Sequence, residues 1–294
     1  MKFIRNVFSR RSVPEPHNFS QLISGRERLI VFLPDDVLDS YQILCHLVVW
    51  KDLFKEMLIF VPQYSHTFFS RFNIGSNVKY VVFSFEKAPL IGSSILNFSL
   101  EKSIEKYLKN CKGSTIVDSS NKSNLQFIPY PKSALEILEK FAGFSNLPFQ
   151  ETHISFELTK AEHFTNKQKY FHNRFPDFVL NISSNVSSKK LDNLISNLKL
   201  SFSANIYLTH RSIKNSNFPN LESIELETLL QLYQYAISCN LFLTTDASLA
   251  GLLQSLNKTC LHLGTGFNSD NVKSVKINDF ELMQGIVPQL MKKL

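Results

Sequence analysis

A pattern that occurs twice constrains this chain most: short, unbroken apolar runs separated by helical stripes. Leu29–Leu33, Met57–Val61, Tyr80–Phe83 and Thr115–Val117 are rich in β-branched and aromatic residues and do not alternate with polar ones. A strand with one wet face alternates; an unbroken run fits a strand covered on both faces, as in a parallel sheet flanked by helices. Tyr41, Leu44, Cys45, Leu47 and Val48 form a helical stripe between the first two runs. After a less regular stretch from Gln126 to Asn166 the pattern restarts, with runs at Phe178–Ile182, Ile206–Leu208, Leu241–Thr244 and Cys260–Leu263. The helices of this second block carry core stripes: Leu191, Leu194, Ile195 and Leu198, then Leu249, Leu252, Leu253 and Leu256, then Met283, Ile286, Val287, Leu290, Met291 and Leu294. The class expected is α/β, with two doubly wound layers. A length of 294 residues accommodates two such domains. The division expected is a basic amphipathic segment over residues 1–26, an N-terminal domain over 27–150 and a C-terminal domain over 151–294.

Composition narrows the partners. With 44% hydrophobic residues, 26 of them Phe, there is ample material for two cores, which argues against disorder. No apolar stretch approaches the roughly 20 residues that cross a bilayer, and the start has no apolar core followed by a small-residue cleavage site, so a cytoplasmic protein is expected. Cys45, Cys111, Cys239 and Cys260 are far apart and form no CxxC pair, and the eight histidines are scattered, so neither a metal nor any other cofactor is expected. The net charge of +7 favours anionic partners. Its lysines are spread along the chain instead of forming a stripe interleaved with aromatics, which argues against nucleic acid. At the start, Phe3, Ile4, Val7 and Phe8 share a helical face while Lys2, Arg5, Arg10 and Arg11 supply charge. This segment reads either as a contact for an anionic membrane surface at the inner face or a partner, or as a frayed basic terminus. Phe68, Phe69 and Phe72 read either as contact surface or as core.

Leu29 to Leu47 runs as an apolar strand, a loop through Pro34, Asp35 and Asp36, then Asp39 at the head of a helix. Ser114 to Ser123 reads as a strand ending in Asp118 and followed by Lys122-Ser123; Leu135 to Phe144 reads as a helix. Asn181 to Lys190 is a polar loop closing on two lysines. Glu227 to Gly266 holds Thr244-Thr245-Asp246-Ala247-Ser248-Leu249-Ala250-Gly251-Leu252, then Leu263-Gly264-Thr265-Gly266. In this order and over most of the chain, these segments resemble the ADP-heptose:lipopolysaccharide heptosyltransferases, glycosyltransferase family nine. The resemblance implies the GT-B fold, with two Rossmann-like domains facing a cleft, and a nucleotide sugar as ligand. It implies Asp39 as the general base, and Lys189, Lys190, Asp246, Ser248, Gly264, Thr265 and Gly266 as the nucleotide-sugar site.

The transfer needs a carboxylate that takes the acceptor's proton and donors that stabilise the departing diphosphate. Each candidate also has a structural reading: Asp39 and Asp246 as helix N-caps, the lysines as a solvated helix start. The sequence also departs from the family's pattern. Leu38 stands where the family carries a loop glycine, and Gly251, Ala247 and Ser248 stand where it carries His, Thr and Gly. Two functions follow as expectations: transfer of a sugar to a lipid-linked or other glycan, or a catalytically inactive homologue that serves as a scaffold or interaction subunit for a protein partner.

Overall fold

The computed structural model describes residues 27–83, 85–87, 98–100, 114–118, 133–154, 156, 178–183, 185–203, 205–209, 222–224 and 228–291. The basic segment carrying Lys2, Phe3, Ile4, Arg5, Val7, Phe8, Arg10 and Arg11 lies outside the described residues, as do Cys111 and Leu294.

In chain order among the described residues, the first block gives β1 (Arg28–Phe32), α1 (Val37–Trp50), a 3-10 turn (Lys51–Leu53), β2 (Glu56–Pro62), α2 (Gln63–Phe69) and β3 (Val78–Phe83). It continues with β4 (Phe85–Lys87), β5 (Phe98–Leu100), β6 (Ser114–Asp118) and α3 (Ala134–Phe144). The second block gives β7 (Phe178–Asn181), α4 (Ser188–Phe202), β8 (Ile206–Thr209), β9 (Glu222–Ile224), α5 (Leu229–Ser238) and β10 (Leu241–Thr244). After these come α6 (Ala247–Ser255), β11 (Cys260–His262), β12 (Val272–Ser274) and α7 (Phe280–Met291). All eight runs read from the sequence are strands. β4, β5, β9 and β12, each three residues long, are additions that so short a run does not announce.

The chain divides into two compact units. One takes residues up to Leu33, with His46–Phe60 and Ile74–Thr152; the other takes Pro34–Cys45, Val61–Asn73 and His153–Leu294.

In the first unit the sheet order is β3-β2-β1-β6, and β1 is parallel to β2 and to β6. Leu29 to Phe32 and Met57 to Phe60 are buried, as unbroken apolar runs require of central strands. Register is supported at one end by charge. Glu56 lies opposite Arg28 and accepts from it at 2.6 Å and from Lys79 at 2.8 Å. These two donors, Lys79 first, hold the Glu56 carboxyl below its usual range. Trp50 packs on Phe141 of α3, and its Nε1 donates to the carbonyl of Pro148.

The second unit holds a six-stranded sheet, β12-β11-β10-β7-β8-β9, with every pairing parallel. The α4 stripe of Leu191, Leu194, Ile195 and Leu198 and the α7 residues Met283, Val287 and Leu290 are buried against it. Leu249, Leu252, Leu253 and Leu256 of the α6 region are buried too. Phe68, Phe69 and Phe72 are core, not contact surface: all are at most 1% exposed. Phe68 meets Phe156 and Tyr233 edge-on, each at 5.2 Å. Tyr41 holds α1 in this unit by donating to the carbonyl of Ile154 at 2.7 Å, with His153 Nδ1 at 2.9 Å.

Candidate functional site

Parallel α/β sheets bind ligands outside the carboxyl ends of their strands, at the point where strand order reverses. In the second unit that point lies between β7 and β10, because the chain proceeds from β7 to β8 and β9 on one side and from β10 to β11 and β12 on the other. A buried network joins the strand ends here. Asn181 Nδ2 donates to Thr244 Oγ1 at 3.1 Å and Thr209 Oγ1 donates to Asn181 Oδ1 at 3.1 Å. The N–H of Asp246 donates to Thr244 Oγ1 at 3.0 Å, and that of Ser183 to Thr245 Oγ1 at 2.7 Å. Buried polar side chains require partners, and here each serves the next, so the loops after β7 and β10 are stapled together.

Three groups of residues singled out from the sequence follow neighbouring strands at this edge. Lys189 and Lys190 stand exposed in the first turn of α4, after β7. Asp246 and Ser248 stand at the start of α6, after β10; Asp246 caps the helix, its Oδ1 accepting from Leu249 N at 3.1 Å. Gly264, Thr265 and Gly266 follow β11, the last two exposed. Gly266 has φ +111°, a conformation glycine adopts without strain.

Gly264 has a structural use. A Cβ there would lie 2.4 Å from the ring of His262, so glycine is what lets the ring lie against the loop. His262 was not among the sequence candidates. It ends β11 between Asp246 and Gly264, with Nδ1 3.0 Å from Ser274 Oγ, and it is only 5% exposed. Burial pushes its pKa down; the Asp246 carboxylate opposes that shift without reversing it. The signal available in the sequence was a lone histidine in the last position of an apolar run, beside a glycine-containing loop.

Asp39 sits in the first turn of α1, half-buried. It is not the cap. Asp36 is: its Oδ1 accepts from the N–H groups of Leu38 and Asp39, both at 3.0 Å, and its Oδ2 accepts from Ser248 Oγ of α6. The capping alternative for Asp39 is thereby corrected, since a cap precedes the first turn by one residue and here that residue is Asp36.

The second unit also encloses a pocket of about 460 Å³, walled by the loop after β1 (Asp35, Asp36), the start of α2 (Tyr64, Ser65), α5 (Leu232) and α6 (Asp246). Ser248 lines it as well; Asp39, Lys189, Lys190, Gly264, Thr265 and Gly266 do not. Thr228 heads α5 with a reciprocal cap, accepting from Gln231 N while Gln231 Oε1 accepts from Thr228 N.

Neither a protein-family model nor a curated protein matches the sequence. Solved structures do match the fold. The glycosyl transferase family 9 protein from Veillonella parvula aligns with a TM-score of 0.58 at 10% identity, over 92% of this chain and 98% of that one. The ADP-heptose lps heptosyltransferase II of E. coli aligns with a TM-score of 0.55 at 10% identity, over 90% and 99%. The chain has the GT-B fold.

On this GT-B framework Leu38 and Gly251, both singled out from the sequence, meet in space. A Cβ on Gly251 would lie 2.7 Å from Cδ2 of Leu38. Leu38 at the start of α1 occupies the space that Gly251 of α6 leaves open, so the two positions fit as knob and hole. No group of metal-holding side chains exists among the described residues, and no described helix is long and apolar enough to cross a membrane.

Proposed function

We propose that this protein binds a nucleotide sugar at the carboxyl edge of its second sheet and transfers the sugar to an acceptor hydroxyl, as a glycosyltransferase of the heptosyltransferase type. The observation that carries this reading is the switch point. There the N-termini of α4 and α6 follow adjacent strands whose loops are hydrogen-bonded to each other. The start of α4 has no side-chain cap, so its leading N–H groups and the positive end of its dipole suit a diphosphate, and Lys189 and Lys190 add two cations there. The GT-B likeness supports the same ligand class, and the heptosyltransferase named above makes ADP-heptose the first donor to try. In the reaction, the acceptor oxygen forms a bond to the anomeric carbon as the bond to the diphosphate oxygen breaks. Asp39 takes the hydroxyl proton, and the diphosphate leaves with its negative charge held by the helix N–H groups and the lysines.

A second reading has its own observation. Leu38 fitted against Gly251 fills space beside Asp39 and α6, which favours a protein that keeps the scaffold for binding or assembly and no longer catalyses transfer.

Melting curves of the full chain with millimolar ADP-, UDP- and GDP-sugars test the first reading. A ligand at about 100 times its Kd adds roughly 2.7 kcal/mol of stability, so a clear rise with one nucleotide is expected, reduced in Lys189→Ala/Lys190→Ala. No rise with any of them overturns it. Transfer that depends on Asp39, lost in Asp39→Asn, removes the second reading.

A further inference from the structure

The pocket in the second unit adjoins the edge proposed for the diphosphate and adds Asp35, Asp36 and an apolar wall to the Asp246 and Ser248 it shares with that edge. We propose that it seats the acceptor as an uncharged, hydroxyl-rich sugar; this rests on the transferase reading. Its size, about 460 Å³, lies in the range of small-ligand pockets and suits a mono- or disaccharide. Among the described residues three carboxylates line it, Asp35, Asp36 and Asp246, and none of the described lining residues is Lys, Arg or His. Asp36 is fixed in place by two backbone N–H groups and Ser248, and Asp246 by the α6 cap, so these charges cannot swing away from an incoming ligand. A phosphate or carboxylate group on the acceptor would therefore be repelled, whereas sugar hydroxyls are donors that carboxylate oxygens accept.

The other wall is apolar. Val37, Pro62, Leu229, Leu232 and Leu249 offer a surface for the C–H face of a pyranose, and Tyr64, 36% exposed at the rim, offers a ring with a polar tip. Acid on one side and aliphatic carbon on the other match a molecule that is itself hydroxyl-edged and C–H-faced. The pocket shares Asp246 and Ser248 with the start of α6, so a sugar here lies next to the edge proposed for the donor; Asp39 does not line it, but follows the lining residues Asp36 and Val37 in the first turn of α1. A free divalent cation is a poorer occupant, because two of the three carboxylates are engaged in helix caps and no metal-holding group occurs among the described residues.

The test is saturation-transfer NMR and calorimetry on the full chain with glucose, galactose, N-acetylglucosamine and maltose, beside glucose 6-phosphate and galactose 6-phosphate. At least one neutral sugar should saturate, and its 6-phosphate should bind about tenfold or more weakly, the gap narrowing as salt screens the carboxylates. Tyr64→Ala should weaken the neutral sugar, and Asp35→Lys should reverse the preference towards the phosphate. Equal or tighter binding of the 6-phosphates by the unaltered chain overturns the proposal, as does failure of every neutral sugar to saturate, or neutral-sugar affinity that neither variant changes. Nucleotide-sugar stabilisation, measured on the same samples, separates the two ideas. If it persists while the sugars fail, only the acceptor proposal is lost; if it is absent too, the transferase reading falls with it.

Discussion

Glycine in a helix interior costs about 1 kcal/mol relative to alanine, so Gly251 within α6 needs a reason other than helix formation. Leu38 supplies it: alanine's Cβ would lie 2.7 Å from the leucine Cδ2. Gly251→Ala is therefore expected to destabilise by about 1–3 kcal/mol, because overpacking outweighs the gain in helix propensity. Leu38→Ala should cost less and should remove most of the penalty in the double variant. Urea denaturation of the four proteins gives the coupling, expected to exceed about 1 kcal/mol; additive costs would mean that the two residues do not share the space. The sequence revealed each departure separately but not that they touch, since positions 213 residues apart carry no mark of adjacency (251 − 38). Asp36 and Asp39 show the same limit at short range. Both are carboxylates within one turn of a helix start, and only the backbone path decides which becomes the cap.

Among elements, legibility followed length and burial. The apolar runs of the central strands could be read because a strand covered on both faces is mostly apolar, and the stripes on α4 and α6 because their buried positions recur at helical spacing. Tyr80–Phe83 departs from that reason, since β3 is an edge strand and Val82 is 45% exposed. β4, β5, β9 and β12 could not, since each of these three-residue segments includes a polar residue and forms no apolar run, whereas β11, equally short, lies within the run Cys260–Leu263. Helix starts were legible where the cap precedes an apolar stripe. Asp246 is such a case, and its role can be divided by substitution. Asp246→Ala removes the acceptor for Leu249 N and should cost about 1 kcal/mol, whereas Asp246→Asn keeps a capping oxygen and should cost only a few tenths. Chemical denaturation of both variants measures this. Equal losses would show that the carboxylate charge beside α6, and not the cap, is what stabilises.

At the scale of the whole molecule, each unit carries, among the described residues, one buried histidine with a depressed pKa, and both bear on how the protein responds to acid. In the first unit His46 stacks on Phe149 with ring centroids 4.0 Å apart, and its Nδ1 has no partner among the described residues. Burial lowers its pKa below the ordinary 6.5, although Glu151, the backbone at Gln150 and Glu139 all act to raise it. In the second unit His262 is lowered by burial against the opposing pull of Asp246. The sign follows from which state binds the proton. Below pH 6.5 the unfolded chain takes up protons at both histidines before the folded chain does, so each contributes stability that is complete above 6.5 and lost as pH falls through the folded value. Carboxylates such as Glu56, whose folded pKa is depressed, lose their contribution only further down, as pH falls through their own range. The urea midpoint should therefore be level from about pH 8 to pH 7 and begin to fall near 6.5, before the carboxylates titrate. His46→Phe keeps the stacked ring without a titrating nitrogen and should reduce the first part of that fall; His262→Asn should reduce it as well, through the other unit. A midpoint that stays level down to about pH 5 in the unaltered protein would mean that neither imidazole is held neutral by its surroundings.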